Sequence, residues 1–379
     1  MKKWITTWGC SSAPAPRNEC NYAKNLTLRY AIPVLNNGEK VRVTLSNFYS
    51  NENCVINSVS VGKAHNLGDR KTYDIRKLSF QGKDECELSA GAVATSDELD
   101  YVVKKGDILN VSLYIKDITK MATATPLTGK YSYGFICEDD HTMSEDFPLV
   151  KEHVSARHYF ITGVDVLAEN ASGFTFFGDS ITSFYWTDEL KSLLLDEKEN
   201  SHNLSIVRKA IAGGEVWVDY DCWAFRHYGE SGVKRFEREI NEPCGCDNIL
   251  VFHGINDIIH PNGTTYRPYS FLPTAEKMIE GFEFYVKKAR EHNKKIYFTT
   301  ILPFKGWRTY DEERNEIRKK LNEWIRTTDL IDGYVDFDKA MQDENDPDKI
   351  PAPLTEEGLH PSVAGAKVLA KAFYDKFIK

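Results

Sequence analysis

The strongest constraint in this sequence is a change of hydrophobic period partway along it. Up to about residue 166, short alternating segments recur: Lys40–Leu45 (KVRVTL), Ile56–Val61 and Leu109–Ile115 (LNVSLYI). Turn formers separate them, namely Asn36-Asn37-Gly38, Asn51–Asn53, Gly82 and Gly106-Asp107. Successive side chains of a strand face opposite ways, so such segments make half-buried strands of antiparallel sheets. Residues 1–166 therefore read as an all-β, jelly-roll-like β-sandwich domain.

Past the polar stretch Leu167–Gly173 (LAENASG), apolar runs alternate with helix-length segments, and residues 167–379 read as a second domain. Phe174–Phe177, Leu204–Val207, Ile249–Phe252, Lys295–Ile301 and Tyr334–Phe337 are the expected strands. Thr182–Leu195, Thr274–His292, Tyr310–Thr327 and Ser362–Ile378 are the expected helices. The charges on the third helix suggest a solvated face. Strand–helix alternation implies an α/β parallel sheet with helices on both faces. Ligands bind such sheets outside the carboxyl ends of the strands.

Four segments at those ends carry candidate chemistry. Gly178-Asp179-Ser180 follows the first apolar run and opens a helix. Gly213, beside Gly214, follows the Leu204–Val207 strand, and Gly254-Ile255-Asn256-Asp257 follows Ile249–Phe252. His360 stands in a loop before the last helix. Each has a plainer reading alone: a helix N-cap, a tight turn, an Asx-turn, a solvated histidine. Together they supply a nucleophilic hydroxyl, its base and donors for an oxyanion. Asp179 and Asp257 are expected to pin their loops rather than touch substrate.

In this order the segments resemble the four sequence blocks of the SGNH (GDSL-type) hydrolases. The resemblance implies a flavodoxin-like catalytic sheet, Ser180 as nucleophile and His360 as base. It implies an oxyanion hole from Ser180, Gly213 and Asn256, with the block-two donor either Gly213 or Gly214. The acid three residues before the histidine is Glu357, where the family usually has Asp; a triad and a Ser–His dyad are both open. Trp4, Trp8, Leu28-Arg29, Val41-Arg42-Val43, Leu45-Ser46-Asn47, Ser96-Asp97, Ser112-Leu113-Tyr114 and Thr162–Val166 are similar to a two-domain branch with an N-terminal β-sandwich. Asp336-Phe337-Asp338 and Asn322–Arg326 match it late in the chain. Members of that branch are lipases or acylhydrolases, and similar architectures occur among carbohydrate acetyl esterases.

Composition narrows the substrate and partners. The net charge is −8 with no basic block, against a nucleic-acid partner. No apolar run reaches the roughly 18–20 residues that span a bilayer, so no membrane role is expected. Lys2 and Lys3 precede a stretch too polar for a signal-peptide core, which suggests a cytoplasmic protein or a mature start. The eight irregularly spaced cysteines, Cys244 and Cys246 included, read as free thiols. No cofactor and no metal is expected. The favoured substrate is a short-chain, acetyl-type ester of a small molecule or oligosaccharide. Tyr185, Trp186, Trp217, Trp223 and Trp307 are the aromatic candidates for holding it. A lipid or lysophospholipid acylhydrolase is the rival, and a carbohydrate-binding protein with an inactive hydrolase domain the rival of another class. In that last rival the β-sandwich does the binding; the alternative is that the N-terminal half only buttresses the catalytic domain or builds a homo-oligomer.

Overall fold

A computed structural model describes residues 1–16, 22–148, 157–197, 202–220, 222 and 224–379. The chain divides into two compact units: Met1–Ser172 with Asn203–Val207, and Gly173–His202 with Arg208–Lys379.

The first unit is a β-sandwich of two five-stranded antiparallel sheets. One runs Lys2–Gly9, Ile161–Glu169, Gly38–Ser46 and Leu99–Val103, with Val93–Thr95 also on Gly38–Ser46. The other runs Tyr133–Glu138, Leu26–Pro33, Ile108–Ile115, Ser58–Ala64 and Tyr73–Lys77. Along Gly38–Ser46, Val41, Val43 and Leu45 are buried while Lys40, Arg42 and Thr44 are partly exposed, as the alternation predicts. The polar residues quoted for the family resemblance tie strands together. Arg29 donates to the Ser112 hydroxyl (2.8 Å) and to the carbonyls of Arg70, His141 and Ser144. Arg42 lies over the Trp4 ring (4.3 Å) and pairs with Asp165 (2.8 Å). Burial lowers the Arg29 pKa to about 10, so these carbonyl contacts offset a real desolvation cost.

The second unit carries the parallel sheet. Its strands are β1 (Ser172–Gly178), β2 (Leu204–Ala210), β3 (Asn248–Phe252), β4 (Lys295–Thr299) and β5 (Tyr334–Val335). Their spatial order is β2-β1-β3-β4-β5, the flavodoxin-like order, with β1, β3, β4 and β5 parallel. The helices are α1 (Ser180–Ser183), α2 (Tyr185–Asp196), α3 (Gly232–Asn241), α4 (Ile255–Ile259), α5 (Ala275–Glu291), α6 (Glu312–Thr327), α7 (Phe337–Met341) and α8 (Val363–Phe377). Neighbouring side chains of β1 show that both faces are covered. Phe176 stacks on Trp186 of α2 and meets Phe373 of α8. Phe177 points the other way, onto Phe236 of α3 and Tyr285 of α5. None of the described helices is long and apolar enough to cross a membrane.

Several local expectations need correction. Ile56–Val61 is not one strand: Cys54–Ile56 and Ser58–Ala64 belong to different sheets, with Asn57 between them. The two units divide within the stretch Leu167–Gly173, between Ser172 and Gly173, although most of that stretch is strand, with only Asn170 and Ala171 between Ile161–Glu169 and β1. The helix expected over Thr182–Leu195 starts at Ser180 and breaks at Phe184, whose backbone is extended. Tyr334–Phe337 is strand only to Val335, because the Asp336 carboxylate caps α7. The charged face of α6 is not simply solvated. Arg314, Asn315, Arg318 and Asn322 are buried, and Arg318 pairs with Asp338 and Asp348.

Candidate active site

β1 and β3 are neighbours in the sheet, but the chain leaves them toward opposite flanks. That is the topological switch point, where open α/β sheets bind ligands. Ser180 follows β1 and Asn256 follows β3. The close approach depends on Gly178, where a Cβ would lie 2.2 Å from the Phe252 carbonyl oxygen. The Asp179 carboxylate accepts from the Ile181 N–H (3.0 Å), capping α1 and fixing the turn that presents Ser180. Arg235 of α3, fully buried, donates to the Gly178 carbonyl (2.8 Å) and lies over the Phe177 ring.

Ser180 Oγ lies 2.9 Å from His360 Nε2. Glu357 contacts the other ring nitrogen, and its Oε1 also accepts from the His360 backbone N–H (3.1 Å). A neutral imidazole with Nδ1–H donating to Glu357 leaves Nε2 to accept the serine proton. Thr355 supports the loop, donating to the His360 carbonyl (2.8 Å) and accepting from the Gly358 N–H. The extra methylene of Glu over Asp does not prevent contact.

Gly213 has φ +80°, a left-handed conformation, and the Tyr228 ring occupies the space a Cβ would need. The Gly214 N–H is spent on the Ile211 carbonyl (3.0 Å), and no described residue accepts from the Gly213 N–H. The free donor at this turn is therefore Gly213. The amide of Asn256 donates to the Gly214 carbonyl (3.0 Å), which leaves its second N–H available.

Sequence reasoning missed how one segment clamps this turn. His253, Asn256, Asp257, His260 and Arg267 act in succession on residues 214–217. His253 Nε2 donates to the Gly214 carbonyl (3.2 Å), and the Tyr285 hydroxyl lies 3.0 Å from its Nδ1. Burial pushes the His253 pKa down to about 3, so the ring is neutral and this donor pattern fixes its tautomer. The buried Glu215 carboxylate contacts His260 (2.8 Å), Tyr220 and Arg267 (2.5 Å). Burial raises its pKa to about 7, with Arg267 opposing. Asp257 accepts from the backbone N–H groups of Val216 (2.9 Å) and Trp217 (3.3 Å). The missed helix α3 had a signal, since Val233, Phe236 and Ile240 recur at helical spacing. The clamp itself joins residues about 40 positions apart and leaves no periodic trace.

The aromatic candidates divide. Trp186 is a core residue, 1% exposed and stacked on Phe176, because α2 packs that face on β1. Trp217 donates its indole N–H to the Lys277 carbonyl and lies under the Lys277 ammonium. Trp223 lies outside the described residues. Tyr185 is exposed, and Trp307 meets the His360 ring edge-on with centroids 6.1 Å apart. Phe184, which sequence reasoning passed over, lies on His360 as well (5.5 Å). Among the described residues the cysteines form no disulfide, and Cys20 lies outside those residues. Among the described residues no three His, Cys, Asp or Glu side chains gather as a metal site.

This geometry suits attack by a serine hydroxyl on an acyl carbon. Residues 176–368 match the model of the GDSL-like lipase/acylhydrolase family, and the chain belongs to that family. No curated protein matches it. Among solved structures it is similar to an acetylxylan esterase of Geobacillus stearothermophilus, crystallised as a catalytic mutant (20% identity, 54% of this chain and 94% of that one, TM-score 0.41). It is also similar to a GDSL-like lipase of Bacteroides thetaiotaomicron (16% identity, 54% and 86%, TM-score 0.38).

Proposed function

We propose that the chain is a serine esterase that removes short acyl groups, acetyl above all, from carbohydrate esters. The observation that carries the reading is the continuous contact from Glu357 through His360 to Ser180, with the Gly213 N–H left without an acceptor beside it. His360 takes the proton of Ser180 as its oxygen attacks the ester carbonyl. The N–H groups of Ser180 and Gly213 and the free N–H of Asn256 receive the oxyanion. Losing one such donor costs roughly 3–4 kcal/mol of barrier in comparable enzymes. His360 then protonates the leaving alcohol and activates water for deacylation. Glu357 steadies the imidazolium formed in each step.

Support for a sugar alcohol comes from the rings around the base. Phe184 and Trp307 both face His360, and a pyranose stacks well on such surfaces. The test is a panel of p-nitrophenyl esters from acetate to palmitate, run beside acetylated xylan and mannan oligosaccharides. We expect kcat/KM to fall with acyl length and Ser180→Ala to abolish turnover. A preference for palmitate would transfer the assignment to a lipid acylhydrolase. Unchanged hydrolysis by Ser180→Ala would remove the serine mechanism altogether.

A further inference from the structure

We propose that Arg308, stacked on Trp307 beside His360, recognises an anionic group on the alcohol portion of the ester. The inference rests on the esterase reading and deepens it by naming the chemistry of the leaving group. Arg308 is exposed, yet it is held in place. Its guanidinium carbon lies 4.3 Å from the Trp307 ring centroid, and one of its N–H groups goes to the Thr264 hydroxyl. Trp307 in turn meets His360 edge-on. The backbone of Gly306 and Trp307 packs against Gly358 in the loop that carries His360.

Most guanidinium groups of this acidic chain answer a carboxylate. Arg42, Arg267, Arg290, Arg314, Arg318 and Arg326 all do. Arg308 has none within 4.0 Å among the described residues, and its hydrogen-bond partner there is the neutral Thr264 hydroxyl. Its charge is felt on the opposite side of the site. It favours ionisation of Tyr228, the ring over Gly213, although burial raises that phenol's pKa overall. It also disfavours protonation of His260, which stacks on Tyr228. Arg308 thus joins the histidine side of the site to the oxyanion side.

A guanidinium fixed by stacking keeps a planar row of N–H donors for a carboxylate or phosphate, with little ordering left to do on binding. His360 protonates the leaving oxygen, so a group beside it meets the alcohol part of the ester rather than the acyl part. A hexuronate is the acidic alcohol that fits the stacking surfaces, and a glycerol phosphate shares the same anionic chemistry.

The experiment compares kcat/KM for an O-acetylated methyl hexuronide, a short-chain acyl glycerol phosphate and a neutral acetylated pyranoside. Wild type should favour an anionic ester over the neutral one by at least tenfold, about 1.4 kcal/mol. Added salt should erode that preference. Arg308→Gln should abolish it, and Arg308→Lys should retain part of it. The two anionic arms decide between uronate and phosphate. A selectivity ratio equal in wild type and Arg308→Gln overturns the proposal. Absence of turnover with every ester would count against the esterase reading instead. Calorimetric binding of free glucuronate or glycerol 3-phosphate to Ser180→Ala then decides the subsite alone. Saturable binding that Ser180→Ala/Arg308→Gln loses supports it, and equal binding by both variants overturns it.

Discussion

Glu357 reaches His360 twice, at the ring and at the backbone N–H. The second contact belongs to the loop, whereas the first would act on the charge that His360 acquires in the proposed reaction. Glu357→Gln keeps an acceptor for Nδ1–H and removes the negative charge. We expect kcat to fall more than tenfold, over about 1.4 kcal/mol of barrier, with KM little changed. A smaller loss in steady-state kinetics would make the enzyme a Ser–His dyad. Asp179 carries a different prediction. Burial raises its carboxyl to about 7 from an ordinary value of 3.8. Between those values the folded chain holds a proton that the unfolded chain has shed. The Asp179 contribution to stability is therefore greatest at low pH and declines as pH rises through that window. Asp179→Asn keeps the cap and removes the titration. Relative to wild type, its unfolding free energy should rise by roughly 1 kcal/mol or more between about pH 4.5 and about pH 7. Urea titrations giving parallel pH profiles would refute this.

The clamp on residues 214–217 belongs to the scale of elements. A five-residue helix, α4, and its flanks hold the turn that carries the Gly213 donor. His253→Phe keeps the ring among Phe177 and Tyr285 but removes the donor to the Gly214 carbonyl and the acceptor for the Tyr285 hydroxyl. The Gly214 carbonyl keeps the Asn256 amide, but stranding the buried Tyr285 hydroxyl should cost about 1–3 kcal/mol of stability. It should also cut kcat about tenfold with a smaller change in KM, because the oxyanion donor proposed at Gly213 would act mainly in the transition state. Lost stability with unchanged kcat would show that the clamp serves the fold alone. Helix α6 offers a contrast between two cations one residue apart. Arg318 is buried between Asp338 and Asp348, whereas Lys319 is 44% exposed. Arg318→Met should destabilise the chain by about 2–3 kcal/mol, because it removes the buried partner that Asp338 and Asp348 share and leaves each only a more exposed one, Arg326 and Lys319. Lys319→Met should change it by less than about 0.5 kcal/mol. Equal effects in denaturant melts would return α6 to the solvated helix that its charges suggest.

At the scale of the molecule, what could be read from the sequence was periodic or local. The runs Ile249–Phe252 and Lys295–Ile301 became β3 and β4, and Thr274 and Ser362 cap α5 and α8 one residue before the helices begin. The contact of Ser180 with His360, 180 residues apart, followed from strand-end placement and family likeness rather than from spacing. The Phe184 break, the buried charges of α6 and the clamp on Gly214 depend on partners distant in sequence, so no local pattern marks them. The same reasoning bears on where the chain can be cut. The polar stretch from Leu167 looks like a linker, but Val166–Glu169 pair with Ile5–Lys2 across the first sheet. The first unit also includes Asn203–Val207, where Ser205 donates to the Thr6 carbonyl and Asn203 to the Glu169 carbonyl. A fragment ending at residue 165 loses four paired residues of a central strand and leaves Lys2–Ile5, half of the edge strand Lys2–Gly9, without their partners in it. One ending at residue 172 keeps that strand and lacks only the later segment. We expect the 172 fragment to show a cooperative thermal transition below that of the full chain, and the 165 fragment to show none by circular dichroism. Matching transitions for the two would mean that the pairing of Lys2–Ile5 contributes little to the sandwich.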